Sequence, residues 1–288
     1  MGHHQKIVPT VENALKTLSE KKIKDLQFDA ILIDEGQDYE EGWYNLLCKF
    51  LRERDELLIV CDKKQNIYSR DLSWIDKPMK NFSGRWRELK TVYRLPKKIG
   101  NAANRFSDMF GLDQSVEIEK YVQLKLSEMP LKSHLVWKNI QSGEWLPQMK
   151  IAYEQIRSEQ LKSGEGHPSD IVILLPTIRM GMEAVKDFEN KNVEVNHVFE
   201  EEMASRYHHH KKAFWLGRPR LKMCTIHSFK GWEAVHVILL IPEEWKGLGN
   251  LDALVYTAMT RTRENLIVLN CNKRYVEYGK SLPNEWGE

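Results

Sequence analysis

Two adjacent carboxylates, Asp34 and Glu35, follow a short apolar run in the segment FDAILIDEGQD, residues 28–38. In an open parallel sheet, functional groups gather beyond the carboxyl ends of the strands, so both side chains are expected at a strand tip. A magnesium ion usually takes one or two protein carboxylates together with phosphate oxygens and waters. Asp34 would hold such an ion, and Glu35 would orient or deprotonate a water that attacks a γ-phosphate. The same residues also suit a buried strand that merely ends in a solvated acidic turn, so the motif by itself decides little.

Polar side chains follow a second apolar run as well. Leu57–Val60 leads into CDKKQNIY, which puts Asp62 and Gln65 at a second strand tip and indicates a shared site. Further along, Arg94 precedes Pro96, which suits the first turn of a helix, so this arginine is well placed to reach an anionic group. Two more polar blocks follow, TIHSFKGWE at residues 225–233 and YTAMTRTR at residues 256–263.

A glycine-rich phosphate loop is missing from these 288 residues. Such a loop needs G-x-x-x-x-G-K-[ST], because its backbone N–H groups surround the phosphates while Lys and Ser/Thr meet the γ-phosphate and the metal ion. The chain has one Gly-Lys-Ser, at residues 279–281, but Arg274 stands where the first glycine is required and Pro283 follows where a helix should run. We interpret this match as accidental.

Composition restricts the class of protein. With 42% hydrophobic and 29% charged residues, the chain has the profile of a globular protein large enough for two modest domains. It contains no apolar run of roughly 20 residues that could cross a bilayer, and no membrane partner is expected. Its start lacks a signal-peptide core, so a cytoplasmic location is expected. The four cysteines are widely spaced, which predicts neither a zinc site nor a disulfide framework. A net charge of +2 means that contact with nucleic acid would depend on local basic clusters.

Apolar runs alternate with amphipathic stretches along the chain, which predicts parallel α/β layers. The predicted strands, most of them expected to be buried on both faces, are Ala30–Ile33, Leu57–Val60, Leu135–Trp137, Ile171–Leu175, Val193–Phe199, Val235–Ile241 and Leu266–Asn270. The predicted helices are Trp43–Arg54, Lys97–Met109, Gln148–Lys162, Met180–Asn190 and Asp252–Arg261. A turn-rich basic segment, Lys77–Arg87, interrupts this alternation and marks a candidate domain boundary.

In their order and spacing, the five polar blocks resemble motifs II to VI of superfamily 1 DNA helicases of the UvrD/Rep type, across nearly everything from Phe28 to Asn270. The matching segments are DEGQD for motif II, DKKQNIY for motif III, VYRL for motif IV, TIHSFKGWE for motif V and YTAMTRTR for motif VI. The resemblance implies an α/β fold with two RecA-like domains of the P-loop NTPase type: an incomplete one over residues 1–83 and a nearly complete one over residues 84–288. The large accessory domain that many such helicases insert is expected to be absent or vestigial. ATP and Mg²⁺ would be the cofactors, and single-stranded or partly duplex DNA the partner.

The resemblance also implies roles for individual residues. Asp34 would hold magnesium with Glu35 nearby, Gln65 would couple the γ-phosphate to bound DNA, and the catalytic set as a whole would be Asp34, Glu35, Gln65, Arg94 and Arg261, the two arginines acting as arginine fingers. The nucleotide-binding set would be Tyr93, which stacks on adenine, together with Gly231 and Glu233, the latter at the ribose. The DNA-binding set would be Tyr68, Arg70, Trp74, Thr225, His227 and Lys230.

Four positions depart from the family pattern. Arg70 stands where an aromatic residue is usual, so base stacking would pass to Tyr68 or Trp74, or be lost. The other three departures are Cys61 for the usual glycine, Gly36 for the usual alanine and Trp232 for the usual leucine. None of them removes a charged catalytic group.

Without a phosphate loop, the isolated chain should hydrolyse ATP poorly or not at all. It would be a fragment of a larger helicase, a split protein completed by a partner chain, or a degenerate relative that kept DNA binding. The leading hypothesis is the motif II-to-VI portion of an ATP-driven DNA translocase. The alternatives are a non-hydrolysing module for single-stranded DNA binding or complex assembly, and a phosphohydrolase that acts on something other than DNA.

Overall fold

The computed structural model describes residues 7–52, 56–76, 86–87, 89, 91–92, 95–112, 120–121, 133–200, 214, 219–247 and 249–282. Contacts within the chain divide it into two units, residues 1–87 and 88–288, so the division lies four residues beyond the predicted boundary after Ser83. Strands in both units pair in parallel and are accompanied by helices, which confirms the predicted α/β class.

Among its described residues, the first unit has two short parallel strands, β1 (Ile31–Ile33) and β2 (Leu57–Ile59), in which Ile33 lies opposite Ile59. Its helices are α1 (Ile7–Lys16), α2 (Glu20–Asp25), α3 (Glu41–Cys48) and α4 (Ser73–Asp76). The buried side chains that form one cluster in this unit are Ile33, Tyr44, Ile59, Trp74 and Ile75.

One face of the β1–β2 pair packs into the core of the first unit, and the other face is exposed. Because side chains alternate along a strand, the neighbours of the buried Ile33 and Ile59 point to the opposite side. There Leu32 is 73% exposed and Leu58 is 53% exposed, and the register places them side by side. Strands in parallel sheets are normally buried on both faces, so these two depart from the predicted burial.

The second unit contains a parallel sheet that, over the described residues, has six strands in the order β5-β10-β9-β6-β8-β7. These strands are β5 (Leu135–Asn139), β6 (Ile171–Leu175), β7 (Val195–His197), β8 (Leu221–Thr225), β9 (Ala234–Ile241) and β10 (Thr262–Asn270). A separate parallel pair consists of β3 (Thr91–Val92) and β4 (Lys120–Tyr121).

The middle of this sheet is the core of the second unit. Every residue of β6 is buried, and nearly every residue of β9 is buried as well, which explains why their sequences are almost continuous apolar runs. The accompanying helices are α5 (Lys97–Met109), α6 (Trp145–Ser163), α7 (Ile178–Glu189), α8 (Ile226–Phe229), α9 (Leu251–Thr260) and α10 (Val276–Lys280). Helix α9 is buried along most of its length and packs on α5.

Candidate nucleotide and nucleic-acid sites

The adjacent carboxylates lie directly beyond the end of β1, as the sequence predicts. The backbone N–H of Glu35 donates to Asp34 Oδ1 at 2.8 Å, which closes the turn between them. Glu35 has a φ of 53°, in the left-handed region, and a residue with a side chain held there costs of order 1 kcal/mol. Asp34 is exposed and Glu35 is half-buried. Backbone strain of this kind is concentrated at functional sites.

Glycine at position 36 lets the turn after Glu35 lie close to the end of β2. The N–H of Gly36 donates to Val60 O at 2.8 Å, so the turn lies against the end of β2. A Cβ on Gly36 would lie 2.8 Å from Ile59 Cγ2 and 3.3 Å from the Cβ of Cys61. Gly36 and Cys61 are therefore neighbours. Both depart from the family pattern: Gly36 lacks the Cβ of the usual alanine, and Cys61 has a side chain where glycine is usual.

Gln37 connects the two strand tips. Its side chain is wholly buried, and its Nε2 donates to Glu35 Oε2 at 2.5 Å. Its Oε1 accepts a hydrogen bond from the backbone N–H of Asp62 at 2.8 Å. Both ends of one amide are thus used, one at the tip of β1 and the other at the tip of β2.

The chain of hydrogen bonds continues through Asp62 to Gln65. Gln65 Nε2 donates to Asp62 Oδ2 at 2.7 Å, and the other carboxylate oxygen accepts from Lys64 N at 3.0 Å. The structure therefore brings together the predicted residues Glu35 and Gln65 through two intermediates. The sequence analysis assigned no role to Gln37. The feature that could have indicated one is a side-chain amide, with both a donor and an acceptor group, two residues after Glu35.

Motif III contains an exposed aromatic ring, that of Tyr68, and an arginine, Arg70, whose charge is paired within the first unit. Tyr68 is 43% exposed, and burial of its hydroxyl, followed by the charge of Asp38, raises its pKa. Arg70 forms an ion pair with Glu40, and its guanidinium lies 5.3 Å from the ring centre of Trp43. Tyr68 is therefore the better placed of the two to meet a base.

Trp74 is a core residue, which contradicts the prediction that it stacks on DNA. It is 3% exposed, and its ring stacks on Tyr44 with 5.3 Å between centroids and 27° between planes. Its Nε1 donates to Tyr39 O at 3.2 Å. The prediction was wrong because the polar neighbours of Trp74 in the sequence suggest an exposed residue, whereas its ring packs into the core of the first unit.

Motif V begins at the carboxyl end of β8. Thr225 Oγ1 accepts from Ser228 N at 3.2 Å, so Thr225 caps the one-turn helix α8. On that helix, the ring of His227 stacks on Trp245, with 6.3 Å between centroids and 13° between planes. Trp245 belongs to the segment that follows β9, whose carboxyl end lies at the same edge of the parallel sheet. Lys230 follows α8 directly and is half-exposed.

The rest of motif V crosses to the opposite edge of the sheet, where it meets motif VI. Gly231 has a φ of 83°, which suits glycine, and the chain then runs through Glu233 into β9. The N–H of Ala234 donates to Arg261 O at 3.1 Å, so the residues just before β9 and β10 are neighbours. The predicted residues Glu233 and Arg261, both half-buried, are thus brought together, apart from Thr225 and His227.

Two predicted residues of motif IV, Tyr93 and Arg94, lie outside the described residues. Their proposed roles at adenine and γ-phosphate stay predictions.

The Gly-Lys-Ser at residues 279–281 lies at the end of α10 and not in a loop between a strand and a helix. Lys280 Nζ pairs with Glu277 at 2.7 Å. A Cβ on Gly279 would run into the Trp137 ring and lie 3.1 Å from Asn139 Oδ1, so this glycine lets the tryptophan pack closely. The interpretation as an accidental match agrees with this geometry.

The donor set at the tip of β1 fits magnesium better than a tightly held transition metal. Over the described ranges, no group of three or more His, Cys, Asp and Glu side chains is placed to hold a metal ion. Asp34 and Glu35 supply two hard carboxylates, and magnesium characteristically completes its shell with waters and substrate phosphates. The residues present are therefore compatible with magnesium delivered together with a nucleotide.

The cysteines show no disulfide: all four have unbonded thiols. Cys224 is fully buried, and that burial raises the pKa of its thiol. In the part of the chain that the structure describes, no helix combines the length and apolar character needed to span a membrane.

Comparison with known proteins agrees with the motif pattern. Residues 7–76 match the UvrD/REP helicase N-terminal domain, and residues 222–269 match the UvrD-like helicase C-terminal domain. The blocks assigned to motifs II, III, V and VI fall within these ranges, and the predicted resemblance to UvrD-type helicases is confirmed. Among curated proteins, none matches the sequence significantly.

One similar solved structure is the C-terminal domain of a possible DNA helicase from Lactobacillus plantarum. It is 14% identical to this chain, with a TM-score of 0.39 over 62% of this chain and 88% of that one.

Proposed function

We propose that this chain is the motif II-to-VI portion of an ATP-dependent DNA helicase or translocase, which couples ATP hydrolysis to movement on single-stranded DNA. The observation that carries this proposal is the series of hydrogen bonds from Glu35 through Gln37 and Asp62 to Gln65. It links the side chain that would activate water to the side chain that would sense the γ-phosphate. The two matches to UvrD-type helicase domains support the same function.

In the proposed reaction, Glu35 orients the attacking water and accepts its proton, and Asp34 would hold Mg²⁺. Bound magnesium would supply neutralisation of phosphate charge. The hydrogen bond from Gln37 holds one oxygen of the Glu35 carboxylate, so the carboxylate cannot rotate without losing a buried partner. The protein's own contribution is therefore to fix the base before substrate arrives.

The second unit would contribute the remaining groups. Arg261 and Arg94 would stabilise charge on the γ-phosphate, and Glu233 with Gly231 would lie at the ribose. Tyr93 would stack on adenine. Support for this part comes from the hydrogen bond that makes the segment after Glu233 a neighbour of Arg261.

Single-stranded DNA would be contacted by residues of motifs III and V. Tyr68 has the exposed ring that base stacking needs, and such stacking is worth about 1–3 kcal/mol per base. Thr225, His227 and Lys230 would contact the strand at the carboxyl end of β8. Arg70 would contribute less, because its charge is already paired with Glu40.

These 288 residues contain no phosphate loop, so we propose that the chain by itself turns over ATP very slowly or not at all. The test compares the chain with a longer form that carries a G-x-x-x-x-G-K-[ST] segment, with and without single-stranded DNA. DNA-stimulated ATP hydrolysis in the longer form is the expected result. If the longer form hydrolyses ATP equally well with and without DNA, the enzyme is a phosphohydrolase of another kind.

The missing loop also favours a second candidate, a non-hydrolysing module that binds single-stranded DNA. Under this alternative the longer form remains inactive, while the chain binds a single-stranded oligonucleotide with an affinity that falls as salt rises and does not respond to ATP.

A further inference from the structure

A ring pair at the carboxyl edge of the second unit's sheet joins motif V to a residue outside any of the motifs. His227 lies on α8, directly after β8, and Trp245 lies in the segment directly after β9. Their rings are 6.3 Å apart at the centroids and only 13° from parallel. The two residues are 18 positions apart in the sequence, so tertiary structure creates this pair.

Trp245 is held in place by its own segment, independently of His227. Its Nε1 donates to Gly249 O at 3.2 Å. Gly247 lies against the indole so closely that a Cβ there would approach Cε2 to 2.9 Å. The indole, which is half-buried, is therefore held in place as a surface for the His227 ring.

His227 lies on a helix of four residues, and its half-buried side chain stacks on this surface. Stacking on a fixed ring sets the plane of the imidazole. Fixing a side chain before binding removes an ordering cost that would otherwise weaken the complex.

We propose that Trp245 is a positioning residue for single-stranded DNA: it holds the His227 ring in the orientation in which His227 contacts the strand. This inference rests on the proposed function, since it takes His227 as a DNA contact. Trp245 itself acts through His227 and needs no contact with the strand.

The test is a double-mutant cycle on the full chain, with binding of a fluorescein-labelled oligothymidylate measured by fluorescence anisotropy at low salt. The variants are Trp245→Ala, His227→Ala and the combination of both. Loss of an aromatic stack predicts that Trp245→Ala weakens binding by about twofold to tenfold. In the His227→Ala background, Trp245→Ala is expected to cause no further loss, because its effect passes through the histidine.

Conservative variants separate positioning from folding. Trp245→Phe keeps a ring face and should retain most of the affinity, whereas Trp245→Leu keeps apolar bulk without the face and should bind as weakly as Trp245→Ala. Circular dichroism confirms that each variant is folded. Proton NMR gives a second readout: the ring-current shift of the His227 ring protons should be present in wild type and disappear in Trp245→Leu.

The results of these binding experiments separate the positioning role of Trp245 from the proposed function. If wild type binds the oligonucleotide and Trp245→Leu binds equally well, the positioning role is wrong while the proposed function stands. Additive losses in the double mutant would mean that Trp245 acts independently of His227, which also overturns the proposal. If wild type binds no single strand even at low salt, the proposed function fails and the role of Trp245 fails with it.

Discussion

The side-chain amide of Gln37 donates to Glu35 across 2.5 Å between Nε2 and Oε2, from a position that is wholly buried. Through its other end, the same amide accepts from the backbone of Asp62. Asp62 is therefore connected to the Glu35 carboxylate by its backbone N–H, through Gln37, and to Gln65 by its side-chain carboxylate. This physical connection is what a motor would need to make water activation depend on the state of motif III.

Replacing Gln37 by leucine should disrupt both strand tips. The change keeps the side-chain volume similar but leaves the Asp62 N–H and one oxygen of Glu35 without these partners. We expect the free energy of unfolding to fall by about 1–3 kcal/mol, the usual cost of an unsatisfied buried polar group. Urea unfolding measures the change. Stability equal to that of wild type would show that the network does not form in solution.

Gly36 and Cys61 should be coupled energetically. Gly36→Ala introduces a Cβ 2.8 Å from Ile59 Cγ2 and 3.3 Å from the Cβ of Cys61, and such overpacking costs about 1–3 kcal/mol. Adding Cys61→Gly removes one of the crowded atoms, so the double variant should be more stable than the sum of the single changes predicts. A thermodynamic cycle checks this, with a coupling of about 0.5 kcal/mol or more expected. Strictly additive changes in the free energy of unfolding would show that Gly36 and Cys61 are not coupled.

Adjacent residues of β1 should respond very differently to truncation. Ile33 is 3% exposed and Leu32 is 73% exposed. Ile33→Ala is expected to cost about 2–5 kcal/mol, as a buried isoleucine does. Leu32→Ala should change the free energy of unfolding by less than about 0.5 kcal/mol. Equal costs in urea unfolding would mean that the Leu32 face is covered in solution.

His236 should make the second unit less stable in acid. It is 6% exposed, its Nδ1 lies 3.1 Å from Asn265 Nδ2, and burial lowers its pKa from 6.5 to about 4, with Asp170 partly opposing the change. The neutral ring is favoured in the folded state, so its contribution is complete above pH 6.5 and declines as pH falls towards 4. The full loss is at most about 3 kcal/mol.

His236→Gln isolates this effect. Burial also raises the pKa of Glu264, but that carboxyl and Asp170 are present in both proteins and cancel in the comparison. Urea unfolding between pH 7 and 4 should show a smaller decline in stability for the variant than for wild type. Parallel curves would contradict an uncharged His236.

Sequence reasoning predicted the parts of the structure that depend on local pattern. Continuous apolar runs such as Ile171–Leu175 are strands because parallel strands are buried on both faces. The strand-tip positions of Asp34 and Glu35 follow from the same logic. Strand β8, Leu221–Thr225, was not predicted, because the polar Lys222 and the preceding polar stretch obscure its apolar residues.

What could not be predicted depends on the direction in which a side chain points in three dimensions. The burial of Trp74 and the two-ended bonding of Gln37 come from packing of α4 and the turn after β1, which periodicity does not encode. The Trp245–His227 pair needs β8 and β9 to share one edge of a sheet. The exposure of Leu32 was not predicted because its strand is as apolar as a strand that is buried on both faces.

We propose a catalytic role for Glu35: it activates water for ATP hydrolysis by an ATP-driven DNA translocase. Its most direct test is DNA-stimulated ATP turnover by a form that carries a phosphate loop, with Glu35→Gln compared against Glu56→Gln, a matched change at an exposed glutamate. We predict that Glu35→Gln lowers turnover by about a hundredfold or more, while Glu56→Gln leaves it unchanged. Undiminished turnover in Glu35→Gln would contradict the assignment of the catalytic carboxylate.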